Sequence, residues 1–163
     1  MEFVEKIKQK AKSDIKTIVL PEAFEERNVK AADKIIEEGF ANLILIGDPD
    51  QIHRQAKEYG LKHIDGLKIV DPNNNPDKDR YMELMLKIRA AKGLTPEQAE
   101  KQLLNPLYLG AVMVKAGDAD GEVAGANNAT GDVLRPAFQY VKTMPGISCL
   151  LYTSPSPRDR SVS

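Results

Sequence analysis

Apolar positions recur along this chain with two different periods, and the period changes at turn-forming residues. Phe3, Ile7 and Ala11 stand four apart, which predicts an opening amphipathic helix. Thr17-Ile18-Val19-Leu20 is a short β-rich run stopped by Pro21. Val29, Ala32, Ile35 and Ile36 return to the helical period, and Gly39 closes that helix. Leu43-Ile44-Leu45-Ile46 is wholly apolar, as in a strand buried on both faces of a parallel sheet. Gly47-Asp48-Pro49 breaks it and opens another helix, and Leu67 to Val70 is a third strand closed by Asp71-Pro72. After the loop Asn73-Asn74-Asn75-Pro76, the residues Tyr81, Leu84, Met85 and Ile88 again mark a helix. Thr95-Pro96-Glu97-Gln98 is a helix start in which Thr95 caps, Pro96 takes the first helical position and Gln98 closes a capping box. Leu107 to Lys115 is a further helix broken at Gly117. Asp120 to Gly125 is a weak strand, followed by a small-residue loop and a helix from about Asp132. Strands and helices alternating with short connections predict βαβ units around a mostly parallel sheet.

The pattern stops near residue 148. Residues 149 to 163 are rich in Ser and Pro and have no apolar face, which by composition alone is a disordered tail. A sharper reading is that Cys149 through Asp159 resembles one frame of a transposon-type sequencing adapter, which makes the tail non-native. The domain reading is therefore an α/β domain over 1–148 followed by a non-native or disordered tail over 149–163. With the two arginines and one aspartate of the tail removed, the body carries a charge of −2 and no cysteine.

Composition narrows the classes. The 163 residues are 42% hydrophobic and 29% charged, the balance of a soluble globular domain. A net charge of −1 argues against a general nucleic-acid binder. The longest aliphatic run is too short to span a bilayer, and the charged N-terminus is no secretory signal. One cysteine builds neither a disulfide framework nor a zinc site. The expectation is a cytoplasmic, metal-independent domain without membrane or nucleic-acid partners.

The segment richest in candidate chemistry is Gly125 to Pro136. Its small residues admit a ligand close to the backbone at a strand's carboxyl end, Asn127, Asn128 and Thr130 offer side-chain hydrogen bonds, and a helix begins there. Arg135 adds a fork that matches phosphate. On spacing alone, an ordinary turn with Asp132 as N-cap and a solvated Arg135 is the better reading, since such loops occur on folds with no shared function. Arg89 follows Tyr81 and Met85 in steps of four and sits at the edge of the apolar stripe, where snorkelling is the simpler reading. Glu22 and Arg27 can face a cleft or form a local helix-start pair, with the latter simpler. His53 and His63 read as surface residues. No GxGxxG, P-loop lysine or GxSxG motif is present.

Thr17 to Glu22, Leu43 to Gly47, Lys68 to Pro72, Arg89-Ala90-Ala91-Lys92-Gly93 and Gly131 to Gln139, with Lys142-Thr143 and Pro145-Gly146 after them, follow in the order of the phosphate acetyltransferase (phosphotransacetylase) family. The resemblance covers residues 1–148. It implies a three-layer α/β/α domain that is the truncated part of a two-domain acyltransferase. It implies reversible acetyl transfer between acetyl phosphate and coenzyme A, in which an aspartate deprotonates the thiol and arginines hold the leaving phosphate. Arg89 and Arg135 match two of those arginines, Thr130 a hydroxyl of the phosphate loop, and Asn128 falls in the same loop. The catalytic aspartate and most of the coenzyme A site fall outside this chain, which is therefore expected to be inactive alone. The resemblance further implies no tightly bound cofactor, coenzyme A as substrate, and a homodimeric full-length enzyme. A butyryl-transferring relative and a non-enzymatic phosphate-binding or regulatory module are the alternatives.

Overall fold

The computed structural model describes residues 2–125, 128 and 130–141, with Thr130 described by its backbone. The tail over 149–163 lies outside the described residues, as do Asn127 and Lys142-Thr143. Helices α1 (Glu2–Ser13), α2 (Glu26–Glu38), α3 (Pro49–Glu58), α4 (Lys78–Arg89), α5 (Pro96–Leu103), α6 (Pro106–Ala116) and α7 (Thr130–Pro136) surround strands β1 (Thr17–Leu20), β2 (Asn42–Ile46), β3 (Lys68–Val70) and β4 (Gly121–Glu122). A 3₁₀ turn, Ala90–Lys92, prolongs α4, and a π-helical segment, Ala137–Val141, prolongs α7.

The four strands form one parallel sheet in the order β3-β2-β1-β4. Alternation along the strands sorts their side chains into two cores. Val19, Ile44, Ile46 and Val70 pack on one face with Tyr81, Met85, Ala99, Leu103 and the buried residues of α6. Leu20, Leu43 and Leu45 pack on the other face with Val29, Ala32, Ile52, Ala56 and Ile64. Helices α4, α5 and α6 therefore cover one face, and α2 and α3 the other, giving the three-layer arrangement.

Local chemistry explains most boundaries. The Asp48 carboxylate caps α3 ahead of Pro49. Thr95 and Gln98 form the expected capping box at α5, each side chain bonding the other's backbone N–H. Gly39 takes the left-handed conformation (φ 74°) that ends α2, and its N–H donates to the Ile35 carbonyl. Two expectations shift. The strand expected over Asp120 to Gly125 is paired only at Gly121 and Glu122, because Val123 onward leaves the sheet for the loop. Helix α7 starts at Thr130, two residues before the expected Asp132. Helix α1 forms as its period predicts, but none of its residues is buried and Phe3 is 73% exposed. Among the described residues its contacts include an ion pair from Lys8 to Glu38 at 3.0 Å.

Candidate functional site

The connections through α2 and α3 step outward from β1 to β2 and then β3, and the chain afterwards returns to the other side of β1 to form β4. Helix α2, which follows β1, covers one face of the sheet, and α7, which follows β4, packs against α6 of the other face, so the carboxyl ends of these two strands flank the crevice where open α/β sheets bind ligands. Pro21-Glu22 follows β1, and Val123 to Asn128 follows β4.

Glu22 is the dominant polar feature there. Its side chain is 1% exposed, and an ionised carboxylate that deep is costly unless hydrogen bonds replace its water. The Gly125 N–H donates to Glu22 Oε1 at 2.6 Å. The Asn128 N–H and Nδ2 donate to Oε2 at 2.8 and 2.7 Å. Hydrogen bonds to an ionised acceptor are the strong ones, so Glu22 fastens the loop after β4 to the end of β1. The helix-start role expected for Glu22 belongs instead to Glu25, whose carboxylate accepts from the Arg27 and Asn28 N–H groups at the head of α2. Glu25 also pairs with the Arg27 Nε at 3.1 Å.

A second carboxyl lies alongside. Glu122, in β4, is largely buried, and its Oε1 has no hydrogen-bond partner. Burial, helped by the negative charge of Glu22, pushes its carboxyl up to about 8. It is therefore protonated at neutral pH, leaving the negative charge of the pair on Glu22, which has the donors to hold it. Gly110 in α6 makes room for this group, since a Cβ there would come within 2.6 Å of Glu122 Oε1. Gly110→Ala is expected to destabilise the fold by about 1–2 kcal/mol, because overpacking outweighs the roughly 1 kcal/mol that alanine gains in a helix. Urea midpoints measure it, and the penalty should shrink when Glu122 is also alanine.

Arg89 ends α4 and is only partly exposed. It lines a cavity of about 290 Å³ together with Lys92, Gln98, Lys101, Gln102 and Gln139. Among the described residues, three cations and three amides line it and no acid does. The Tyr140 hydroxyl donates to Gln102 Oε1 at 2.5 Å. Burial raises the Tyr140 phenol to about 12, with the positive charge of Arg89 pulling the other way. Gln139 Oε1 is buried without a partner. The cavity thus lies between the end of α4, helix α5 and the π-helical segment, and its charge suits an anion.

The other sequence-derived candidates fall differently. Arg135 lies on α7 with its side chain 60% exposed and its Nη1 3.6 Å from Asp132 Oδ1. It does not line the Arg89 cavity, although Gln139, four residues on, does. The structure thus does not bring the two arginines into one cavity: the residue that reaches the Arg89 cavity from beyond α7 is Gln139 of the π-helical segment. Thr130 opens α7. Asn128 sits in the loop, with one amide hydrogen committed to Glu22. His53 is exposed as expected. His63 is more than a surface residue: its N–H donates to Asp33 Oδ1 at 2.7 Å and its Nδ1 lies 3.2 Å from the same oxygen. That contact ties the segment before β3 to α2. Asp33, Glu37 and His63 place possible ligand atoms within 4.8 Å of one another, an arrangement the hydrogen bonds to Asp33 already explain. No helix among the described residues is long and apolar enough to cross a membrane.

Sequence reasoning gave Glu22 too little weight. The available signal was its position directly after a buried strand, where an acid has no reason to be buried unless something across the crevice needs it. Lys92, Lys101 and Gln139 were missed as cavity residues, because their convergence depends on how α5 and the π-helical segment pack.

Comparison with known proteins gives the family and the fold. The family profile described as phosphate acetyl/butaryl transferase matches residues 2–152, running slightly past the boundary drawn at 148. A phosphate acetyltransferase of Acetivibrio thermocellus is 44% identical over 146 residues, which are 90% of this chain and 43% of that protein. One from Thermoanaerobacterium thermosaccharolyticum is 46% identical over 146 residues, 90% of this chain and 44% of that protein. The crystal structure of a phosphotransacetylase from Streptococcus pyogenes superposes with a TM-score of 0.85 at 34% identity, covering 91% of this chain and 44% of that one. The chain spans less than half the length of the relatives it matches. A parallel sheet that opens its crevice between β1 and β4, together with these matches over nearly all of the folded region, places the chain in the phosphate acetyl/butaryl transferase family.

Proposed function

We propose that this chain is the phosphate-side wall of a phosphate acetyltransferase, which transfers acetyl reversibly between acetyl phosphate and coenzyme A. The observation that carries the reading is the acid-free cavity lined by Arg89, Lys92 and Lys101, in a chain whose relatives are phosphate acetyltransferases. In the reaction the thiolate of coenzyme A forms a bond to the acetyl carbon, the bond from that carbon to the phosphate oxygen breaks, and phosphate leaves with the electron pair. Negative charge gathers on the leaving oxygens in the transition state, where fixed cations stabilise it most. Arg89 supplies a planar fork with two parallel N–H groups, and the lysines supply point charges. Arg135 joins from α7 by exchanging its long contact to Asp132 for the anion, near Thr130 and Asn128.

The thiol-activating aspartate and most of the coenzyme A site belong to the remainder of the enzyme, so this chain alone is inactive. Coenzyme A is a substrate, no cofactor is tightly held, and the complete enzyme is a cytoplasmic homodimer of acetate metabolism. The tail over 149–163 takes no part.

The test is to fuse residues 1–148 to the C-terminal remainder of the Acetivibrio thermocellus relative and assay transfer from acetyl and butyryl phosphate. Acetyl transfer well above butyryl transfer supports the proposal. Preference for butyryl points to the other activity in the family description, and transfer of neither, from a folded fusion, points to a non-enzymatic phosphate-binding module.

A further inference from the structure

We infer that Glu22 is a positioning residue for the anion site: its buried carboxylate fixes the loop after β4 and thereby the start of α7, which carries Arg135. This rests on the reading of the site given above, and on geometry that the reading does not use. Glu22 is the one buried charged residue in the core among the described residues. It follows the strand on one side of the crevice, and the groups it binds follow the strand on the other. It receives N–H groups from both limbs of the loop, at Gly125 and at Asn128, and the Asn128 side chain as well. Helix α7 begins two residues after Asn128, so little chain remains to absorb a displacement before Arg135.

A structural role alone would be met by an apolar residue that fills the same space. A buried carboxylate is the costlier choice, and it suits a short loop whose backbone N–H groups must be aimed. A carboxylate offers four lone-pair directions and no donor, so all of its bonds can come from N–H groups of a loop too short for a regular element. Gly125 adopts φ 116°, a conformation favouring glycine, and its N–H reaches Glu22 from there. Glu122, against Gly110 of α6, is a titratable group whose charge interacts with that of Glu22. Its protonated carboxyl keeps a second negative charge away from Glu22.

The test uses Glu22→Gln, which keeps size and shape but removes the charge and puts an NH₂ against one of the N–H donors. Amide hydrogen exchange and ¹⁵N chemical shifts are followed in the 163-residue chain, and binding of inorganic phosphate is titrated in the same samples. The Gly125 and Asn128 amides should exchange about tenfold faster or more, while amides of α6 and β2 stay unchanged. Phosphate should bind about tenfold more weakly. Glu22→Asp, which retains the charge one methylene further back, should recover part of both effects. In the active fusion, Glu22→Gln should raise KM for acetyl phosphate more than it lowers kcat, a split that general loss of folded protein does not produce.

Unchanged exchange at Gly125 and Asn128 overturns the inference. Faster exchange there with unchanged phosphate affinity also overturns it, since the loop would then be held without consequence for the anion. If the unsubstituted chain binds no phosphate, the anion reading fails instead, and the amide exchange alone decides whether Glu22 orders the loop. If Glu22→Gln does not fold, Glu22→Asp carries the same comparison, and wild-type exchange and affinity in that variant overturn the inference.

Discussion

Arg89→Ala in the active fusion is expected to lower kcat/KM for acetyl phosphate about 30- to 1,000-fold, a loss of about 2–4 kcal/mol of transition-state stabilisation. The size follows from what the cavity contains. Among the described residues, Arg89 is the one there with a planar fork, and no acid lines the cavity to offset it. Lys92 and Lys101 keep the potential positive when Arg89 is removed, so phosphate should still be attracted but held in poorer alignment. Arg89→Lys should therefore recover only part of the loss, because a point charge does not make two parallel hydrogen bonds. Steady-state kinetics on both variants measure this. Equal activity of Arg89→Lys and the unsubstituted fusion would show that charge alone matters at this position.

Stability should fall as pH rises from about 5 to about 8, by a few kcal/mol in all, and Glu122→Gln should remove most of that fall. The sign follows from where the proton sits. Burial, and then the charge of Glu22, raises the folded Glu122 carboxyl to about 8, whereas the unfolded chain releases this proton near the ordinary value of 4.5. Between those values the folded state holds a proton that the unfolded state has lost, so stability falls with rising pH. Above about 8 both states are ionised and this contribution levels off. Each pH unit of the window is worth about 1.4 kcal/mol at most. Among the described residues, Glu22 from the end of β1 is the charged group acting on Glu122, and α6 presents Gly110. Asp118 works in the opposite sense and at lower pH. Burial acts to raise it, but hydrogen bonds from Tyr81 and Arg80 outweigh burial and hold it below the ordinary carboxylate range. The stability it contributes is thus lost only as pH falls through its depressed value. Urea unfolding at a series of pH values, with and without Glu122→Gln, separates the two.

Much of the fold is legible in the chain because its local signals agree with its packing. Leu43 to Ile46 is apolar at every position, and β2 is buried on both faces. Thr95 to Gln98 carries every atom of its capping box within four residues, so nothing distant is needed to form it. The end of β4 was misjudged because Val123 and Ala124 read as strand-compatible, whereas the pairing with β1 extends only to Glu122. Nothing in the sequence marks where a neighbouring strand stops. The apolar stripe of α1 forms the expected amphipathic helix, with Phe3, Val4 and Ile7 exposed; periodicity predicts the helix and is silent on what covers it.

The site is legible to a lesser degree, and for a physical reason. Arg89 sits beside an apolar stripe, where snorkelling and lining a cavity produce the same pattern. Its neighbours Lys101 and Gln139 are 12 and 50 positions away and come together only through packing. The burial of Glu22 depends on N–H groups more than a hundred positions away, and no local pattern encodes that distance. The resemblance to phosphate acetyltransferases selected Arg89 and Arg135 where spacing alone favoured solvated side chains. The structure adds the acid-free cavity at Arg89, and leaves Arg135 on the exposed side of α7 beside Asp132.

A double-mutant cycle decides whether those two arginines serve one anion. Acetyl phosphate kinetics of the active fusion would be compared for Arg89→Ala, Arg135→Ala and the double variant. Residues that bind a common group are not additive, with coupling of about 0.5–3 kcal/mol. The second substitution should cost clearly less once the first has been made, because the anion is already displaced. Losses that add within about 0.3–0.5 kcal/mol would show two independent sites and would contradict the shared phosphate position.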